Sequence, residues 1–168
     1  MGIAHPAGHA FGATYKGFND TLADWTLNRN VNQNCGQTWL STFSEIGKHY
    51  SAGSQLESLQ LVTWNDYEEA TEIESGIDNC VAVTASVSGD QFTWSVSGDE
   101  STIDHYATFI STDGESLMTL PDVPAGTHSL DLSSYHFAQG SYSLYVKAVG
   151  KPSFKNQMSN RVNYSPGT

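Results

Sequence analysis

The chain has 168 residues, enough for one large domain or two small ones, and 38% hydrophobic with 11% aromatic residues suffices for packed cores. Seven Lys and Arg stand against eighteen Asp and Glu, for a formal charge of −11. That balance excludes attraction to nucleic-acid phosphates or an anionic membrane surface and favours a neutral or cationic partner, a polysaccharide or oligosaccharide above all.

No apolar run approaches the ~20 residues of a membrane-spanning helix, and the opening MGIAHPAGHAFG lacks the charged segment and apolar core of a signal peptide. Gly2-Ile3-Ala4 with His5-Pro6 reads as the end of a strand. His5 and His9 are four apart, a metal-ligand spacing on a helix, but Pro6 and Gly8 oppose a helix there and no HExxH is present. The sequence therefore calls for no metal and no cofactor. A polar loop follows, YKGFNDTLADWTLNRNVNQNC, with no Walker ending on GATYKG and no GxSxG elbow anywhere. From Gly36 to Tyr50, the positions of Trp39, Leu40, Phe43, Ile46 and Tyr50 form the stripe of an amphipathic helix. Leu59 to Trp64 is a nearly continuous apolar strand, as expected where a parallel sheet is covered on both faces.

Past that strand come Asp66, Glu68, Glu69, Glu72 and Glu74. In parallel α/β sheets the working residues sit just beyond the carboxyl ends of strands, which is where this acidic stretch lies. Asp66 and Glu69 are three apart and come together once the chain turns. A carboxyl pair of this kind is what glycoside hydrolysis needs, one group to protonate the leaving oxygen and one to assist attack. Trp64 and Tyr67 would stack on a sugar, with Asn65 beside them. A plain solvated acidic loop is the competing reading.

The chain changes character near residues 78 to 81, which divides it into an α/β segment, 1–79, and a β domain, 80–168. Val81 to Val87 and Gln91 to Val96 alternate around Ser88-Gly89-Asp90 and predict a hairpin. Ile103 to Ser111, Leu117 to Leu120, His128 to Leu132, Ser141 to Val149 and Met158 to Tyr164 add strands, for a mainly β protein ending in a β-sandwich. Trp94 belongs to its core rather than to a ligand platform. Cys35 and Cys80 allow one disulfide, worth roughly 4 kcal/mol on the chain-entropy model, or two buried thiols. Few Lys and many Ser, Thr, Gly, Asn and Tyr suit a secreted bacterial protein, extracellular or periplasmic.

Two resemblances attach to these residues. IDHYATFIS, GSYSLYVKAVG and Trp94 resemble the fibronectin type III family over residues 81 to 165, which implies a tyrosine corner at Tyr142 with Leu144 and Val146 facing inward. TWNDYEEATEIE resembles the end of the last barrel strand in the α-1,3-glucanase (mutanase) family, and a segment of the endo-α-mannosidase family. It differs from the first at Glu68, and from the second at Asp66 and Ala70. The resemblance implies that Asp66 and Glu69 are the catalytic carboxylates, with Trp64, Asn65 and Tyr67 as substrate contacts. It also implies that the chain is the C-terminal piece of a longer secreted glycoside hydrolase, since a whole barrel takes about 250 residues. Such a fragment would be weakly active or inactive alone, and its uncovered helix face and strand edges would favour a homo-oligomer. The alternative is a non-catalytic carbohydrate- or protein-binding β-sandwich module.

Overall fold

The computed structural model describes residues 10–167, and the strand end read at residues 2–6 and both His5 and His9 lie outside them. The protein is mainly β, and it divides into two compact units, Met1–Ile77 and Asp78–Thr168.

In the first unit, β1 (Phe11–Tyr15) lies parallel to β4 (Ser58–Val62), with Phe11 opposite Ser58 and Tyr15 opposite Val62. Parallel neighbours need a long crossover, and here it contains α1 (Gln37–His49), the one α-helix among the described residues. Gly36 precedes α1 in the left-handed region with no side-chain cap. At the far end Lys48 and His49 meet the helix dipole favourably, and the Tyr50 N–H donates to Ile46 O at 3.1 Å. The helix packs on β1, where a Cβ on Gly12 would lie 3.5 Å from Ile46 Cδ1, and the segment before β4 packs closer still, with Leu56 Cδ2 at 2.5 Å.

Two expectations change here. The sequence reading does not mark β1 as a strand, placing a strand end at residues 2–6 and a polar loop from Tyr15 on, because FGATY is short and its Gly12 breaks the apolar alternation. The strand expected to be buried on both faces is mostly exposed, and of the helix stripe only Trp39 is buried. The cause is the width of the sheet. With two strands it cannot cover both faces of either, so Leu59, Leu61 and Phe43 stay in water.

The second unit is two antiparallel sheets around one core. The first runs β10 (Ser129–Asp131), β6 (Gln91–Ser97), β5 (Ala82–Ser88). The second runs β12 (Gln157–Met158), β11 (Tyr142–Gly150), β7 (Ile103–Ser111), β8 (Met118–Thr119), with β13 (Val162–Tyr164) also on β11 and β9 (Val123–Pro124) also on β7. Strand alternation explains the core, since every second residue points inward: Val83 and Ala85 from β5, Phe92 and Trp94 from β6, Tyr106 and Ile110 from β7, Leu144 and Val146 from β11. Trp94 stacks obliquely between Phe92 and Tyr106, at centroid distances of 5.6 and 5.3 Å. The Tyr142 hydroxyl donates to Ala138 O at 2.9 Å. Cys35 and Cys80 are both disulfide-bonded, which removes the free-thiol alternative.

Candidate functional site

The site is built on the carboxyl ends of the two parallel strands. Beyond β4 the chain doubles back on itself and is clasped. The Thr63 N–H donates to Thr71 O at 3.0 Å, the two threonine hydroxyls are 2.7 Å apart, and the Ile73 and Glu74 N–H groups each reach Trp64 O at 3.0 Å. Thr71, Ile73 and Ile77 are buried and anchor the clasp. The Asn19 N–H donates to Glu69 O at 2.8 Å and ties the same loop to β2 (Phe18–Asn19).

This clasp decides where each predicted side chain goes. Trp64 and Asn65 are exposed, Trp64 by 65% and Tyr67 by 52%. Asp66 and Glu69 are half-buried. Asp66 Oδ1 accepts the Glu69 N–H at 3.1 Å, and its carbonyl accepts the Thr71 N–H at 3.1 Å. One oxygen of Asp66 thus holds the turn, while the Glu69 carboxylate makes no hydrogen bond among the described residues. The Tyr67 hydroxyl donates a short hydrogen bond to Glu74 Oε1, and that bond pushes the phenol above its ordinary range.

Glu72 has a different role from its neighbours. Lys16, just past β1, is buried and donates to Glu72 Oε1 at 2.6 Å, an ion pair in which both side chains are largely covered. A charge so placed needs its partner, since desolvation without pairing costs several kcal/mol. Glu72 is therefore a structural carboxylate, and the predicted acidic stretch is not uniformly solvated.

Beside the clasp lies a small apolar cavity of about 250 Å³, lined by Tyr15, Gly17, Phe18, Val31, Val62 and Thr71. Gly17 permits it, because a Cβ there would sit 2.8 Å from Val31 O. β2 pairs antiparallel with β3 (Asn30–Val31), closing a loop over residues 20 to 29. Asp20 organises that loop from a fully buried position. It accepts from Arg29 Nε and the Arg29 N–H at 2.8 Å each, from Thr26 Oγ1 at 3.0 Å and from the Leu27 N–H at 3.3 Å. Burial alone would raise its pKa, but the Arg29 bonds and the other donors prevail and hold it at about 2. The Arg29 guanidinium lies over Phe18 at 5.2 Å and over Trp25 at 5.6 Å. Sequence reading missed this knot. Its signal was a single arginine between Phe18 and Val31, nine residues from an Asp that follows Asn19.

Among the described residues, no group of three or more His, Cys, Asp or Glu is arranged to hold a metal ion, and no helix is long and apolar enough to cross a membrane.

Neither a protein-family model nor a curated protein sequence matches the chain. Among solved structures it is similar to pectate lyase Pel3 from Pectobacterium carotovorum, at 15% identity and a TM-score of 0.39, over 52% of this chain and 27% of that one. It is also similar to pectate lyase PelI from Erwinia chrysanthemi in complex with tetragalacturonic acid, at 19% identity and a TM-score of 0.39, over 49% of this chain and 27% of that one. The chain thus spans about a quarter of the length of the solved structures it matches. The resemblance to α-1,3-glucanase and endo-α-mannosidase barrels is not upheld, since no family model and no curated protein of that kind matches the chain. The physical reason is that TWNDYEEATEIE is a short strand end and turn, and the unit around it holds a two-stranded parallel sheet rather than a closed barrel. The fibronectin type III resemblance likewise has no family-model match behind it.

Proposed function

We propose that the chain is a secreted carbohydrate-active protein whose first unit engages a neutral polysaccharide or oligosaccharide at the clasp after β4. The observation that carries this reading is the pairing of two exposed aromatic rings, Trp64 and Tyr67, with carboxylates on one short, well-anchored turn. Large rings left in water gain by covering, and the apolar face of a sugar ring covers them while its hydroxyls donate to Glu74 and Glu69. The charge of −11 disfavours an anionic glycan at the same place. Disulfide-bonded Cys35 and Cys80 support an oxidising compartment, outside the cell or in a bacterial periplasm.

The finer reading is O-glycosyl hydrolysis, with Glu69 and Asp66 as the carboxyl pair. In this reading the Glu69 carboxylate, which makes no hydrogen bond among the described residues, serves as one member of the pair, and the Asp66 oxygen not engaged by the Glu69 N–H belongs to the other. The rival reading is a binding module without chemistry, favoured by the structural duties of Asp66 and Glu72.

One experiment separates them. Binding of soluble α-linked glucans and α-mannosides is followed by calorimetry while release of reducing ends is assayed on the same samples. Binding that is lost in Trp64→Ala, together with reducing ends that vanish in Glu69→Gln, supports the hydrolase. Binding without reducing ends supports the module, and no binding to any neutral glycan ends the carbohydrate reading.

A further inference from the structure

The second unit has a cavity of its own that the clasp does not use. It is about 290 Å³ and is lined by Asp90 from the β5–β6 turn, Ser133, His136 and Phe137 from the loop after β10, and Tyr164 and Pro166 at the end of β13. From these side chains we propose that this cavity is a second subsite, for a single neutral pyranose ring, and that it does not depend on the site in the first unit.

Size comes first. Sites for larger ligands start at about 300 Å³, so this cavity suits one ring and not an extended chain. Its wall is a fixed aromatic surface. Phe137 stacks on Tyr135 with centroids 5.6 Å apart and planes 9° from parallel, and it is braced by Tyr142 at 5.6 Å and Tyr164 at 6.2 Å. A ring held from three sides loses little freedom when a ligand stacks on it.

The polar groups match hydroxyls rather than ions. The Tyr164 hydroxyl donates to Asp90 Oδ1 at 2.7 Å, which leaves its oxygen free to accept. Burial and Asp90 push that phenol up to about 12, so it stays an O–H donor to Asp90. Asp90 fixes the loop with its backbone, accepting the Leu132 N–H at 2.8 Å, and its second carboxylate oxygen has no partner among the described residues. His136 sits in the left-handed region at φ 49° and makes no hydrogen bond among the described residues, and Ser133, whose hydroxyl is already hydrogen-bonded to Asp131, brings an oxygen that can accept. A sugar hydroxyl donates and accepts at once and satisfies this mixed set. An anion would meet the charges of Asp90 and nearby Asp131, and an ammonium group, which only donates, would leave an imidazole N–H of His136 without an acceptor.

The test is a protein NMR titration of the full chain with methyl glycosides of glucose, mannose and galactose, with butylamine as the cationic probe. The expected result is saturable shifts at residues 132–137 and 164–167 with at least one glycoside, in the millimolar range typical of a single ring, and none with butylamine. His136→Gly, which suits the left-handed backbone there, and Phe137→Ala should each weaken the effect about tenfold or abolish it. Trp64→Ala should leave it unchanged. The proposal is overturned if no glycoside shifts these residues at 100 mM, if butylamine alone does so, or if His136→Gly and Phe137→Ala both bind as well as the parent. Shifts near residues 63–74 report the first site separately, so either site can fail without the other.

Discussion

A buried carboxylate and an exposed indole mark the two kinds of residue that the first unit depends on. Asp20 is held near 2 where an ordinary aspartate lies at 3.8, so its ionised form favours the folded state. That stabilisation is complete above pH 3.8 and is lost as the pH falls from 3.8 through 2. In urea titrations between pH 6 and 2, the parent should therefore lose stability over this window, and Asp20→Asn should start lower at neutral pH and lose less on acidification. Identical slopes would mean that the Arg29 pairing is not what ionised Asp20 contributes. Trp64 is the opposite case, since its side chain is 65% exposed. Trp64→Ala should leave the thermal midpoint within about 1 °C yet weaken glycan binding roughly tenfold, about 1.4 kcal/mol. Asp66→Asn is the cleaner probe of chemistry, because an amide oxygen still accepts the Glu69 N–H and keeps the turn. Loss of reducing-end release by two orders of magnitude or more with an unchanged fold is expected if Asp66 takes part in hydrolysis. At this scale the place of Trp64, Asn65, Asp66, Tyr67 and Glu69 just past a strand was legible, because a strand end followed by carboxylates is a local pattern. The sequence could not separate Glu72 from its neighbours, since the partner that buries it, Lys16, is 56 positions away.

Elements in the second unit were legible for the same reason of locality. β7 coincides with its predicted span, and β5, β6 and β11 lie within a residue or so of theirs, because their apolar positions alternate without interruption. β9 and the split of the last strand into β12 and β13 were not, as short pieces are defined by their partners and not by their own pattern. The break between β12 and β13 has a physical purpose. Asn160 sits in it, and its side chain takes the place of a strand: Oδ1 accepts the Ala85 N–H at 2.8 Å, and Nδ2 donates to Ala85 O at 3.1 Å. This stitches β5 of one sheet to the segment that borders the other. Asn160→Ala would strand a buried backbone donor, at a cost of about 1–3 kcal/mol. A lowered midpoint in thermal unfolding checks it, whereas an unchanged midpoint would mean that water replaces the amide. Gly98, at φ 97° with a Cβ that would approach Cys80 O to 2.9 Å, should tolerate alanine poorly for a different reason, backbone strain plus overlap.

At the scale of the whole chain, the two units differ in how much of their own apolar surface they cover. In the first, Phe11 is 78% exposed, and Leu22, Trp25, Leu27, Leu59 and Leu61 also meet water, around a parallel sheet whose outer edges pair with no other strand among the described residues. Such edges and patches favour pairing with another chain. Light scattering should show mass rising with concentration, and a strictly monomeric mass at high concentration would mean that these side chains are tolerated in water. The second unit is the reverse case. Its sheets share a core in which Phe92, Tyr106, Leu144 and Val146 are wholly buried, and its backbone is paired by registers that run unbroken from Ser143 opposite Ser111 to Val149 opposite His105. Among the described residues, none in that core precedes Val81. Residues 78–168 carrying Cys80→Ser, to remove the thiol otherwise disulfide-bonded, should therefore fold alone, with dispersed amide resonances and a single cooperative transition. The fragment should be less stable than the intact oxidised chain, because loss of a native disulfide typically costs about 2–5 kcal/mol. A fragment that stays disordered would show that the core, though contiguous, is too small to offset its own chain entropy without the disulfide.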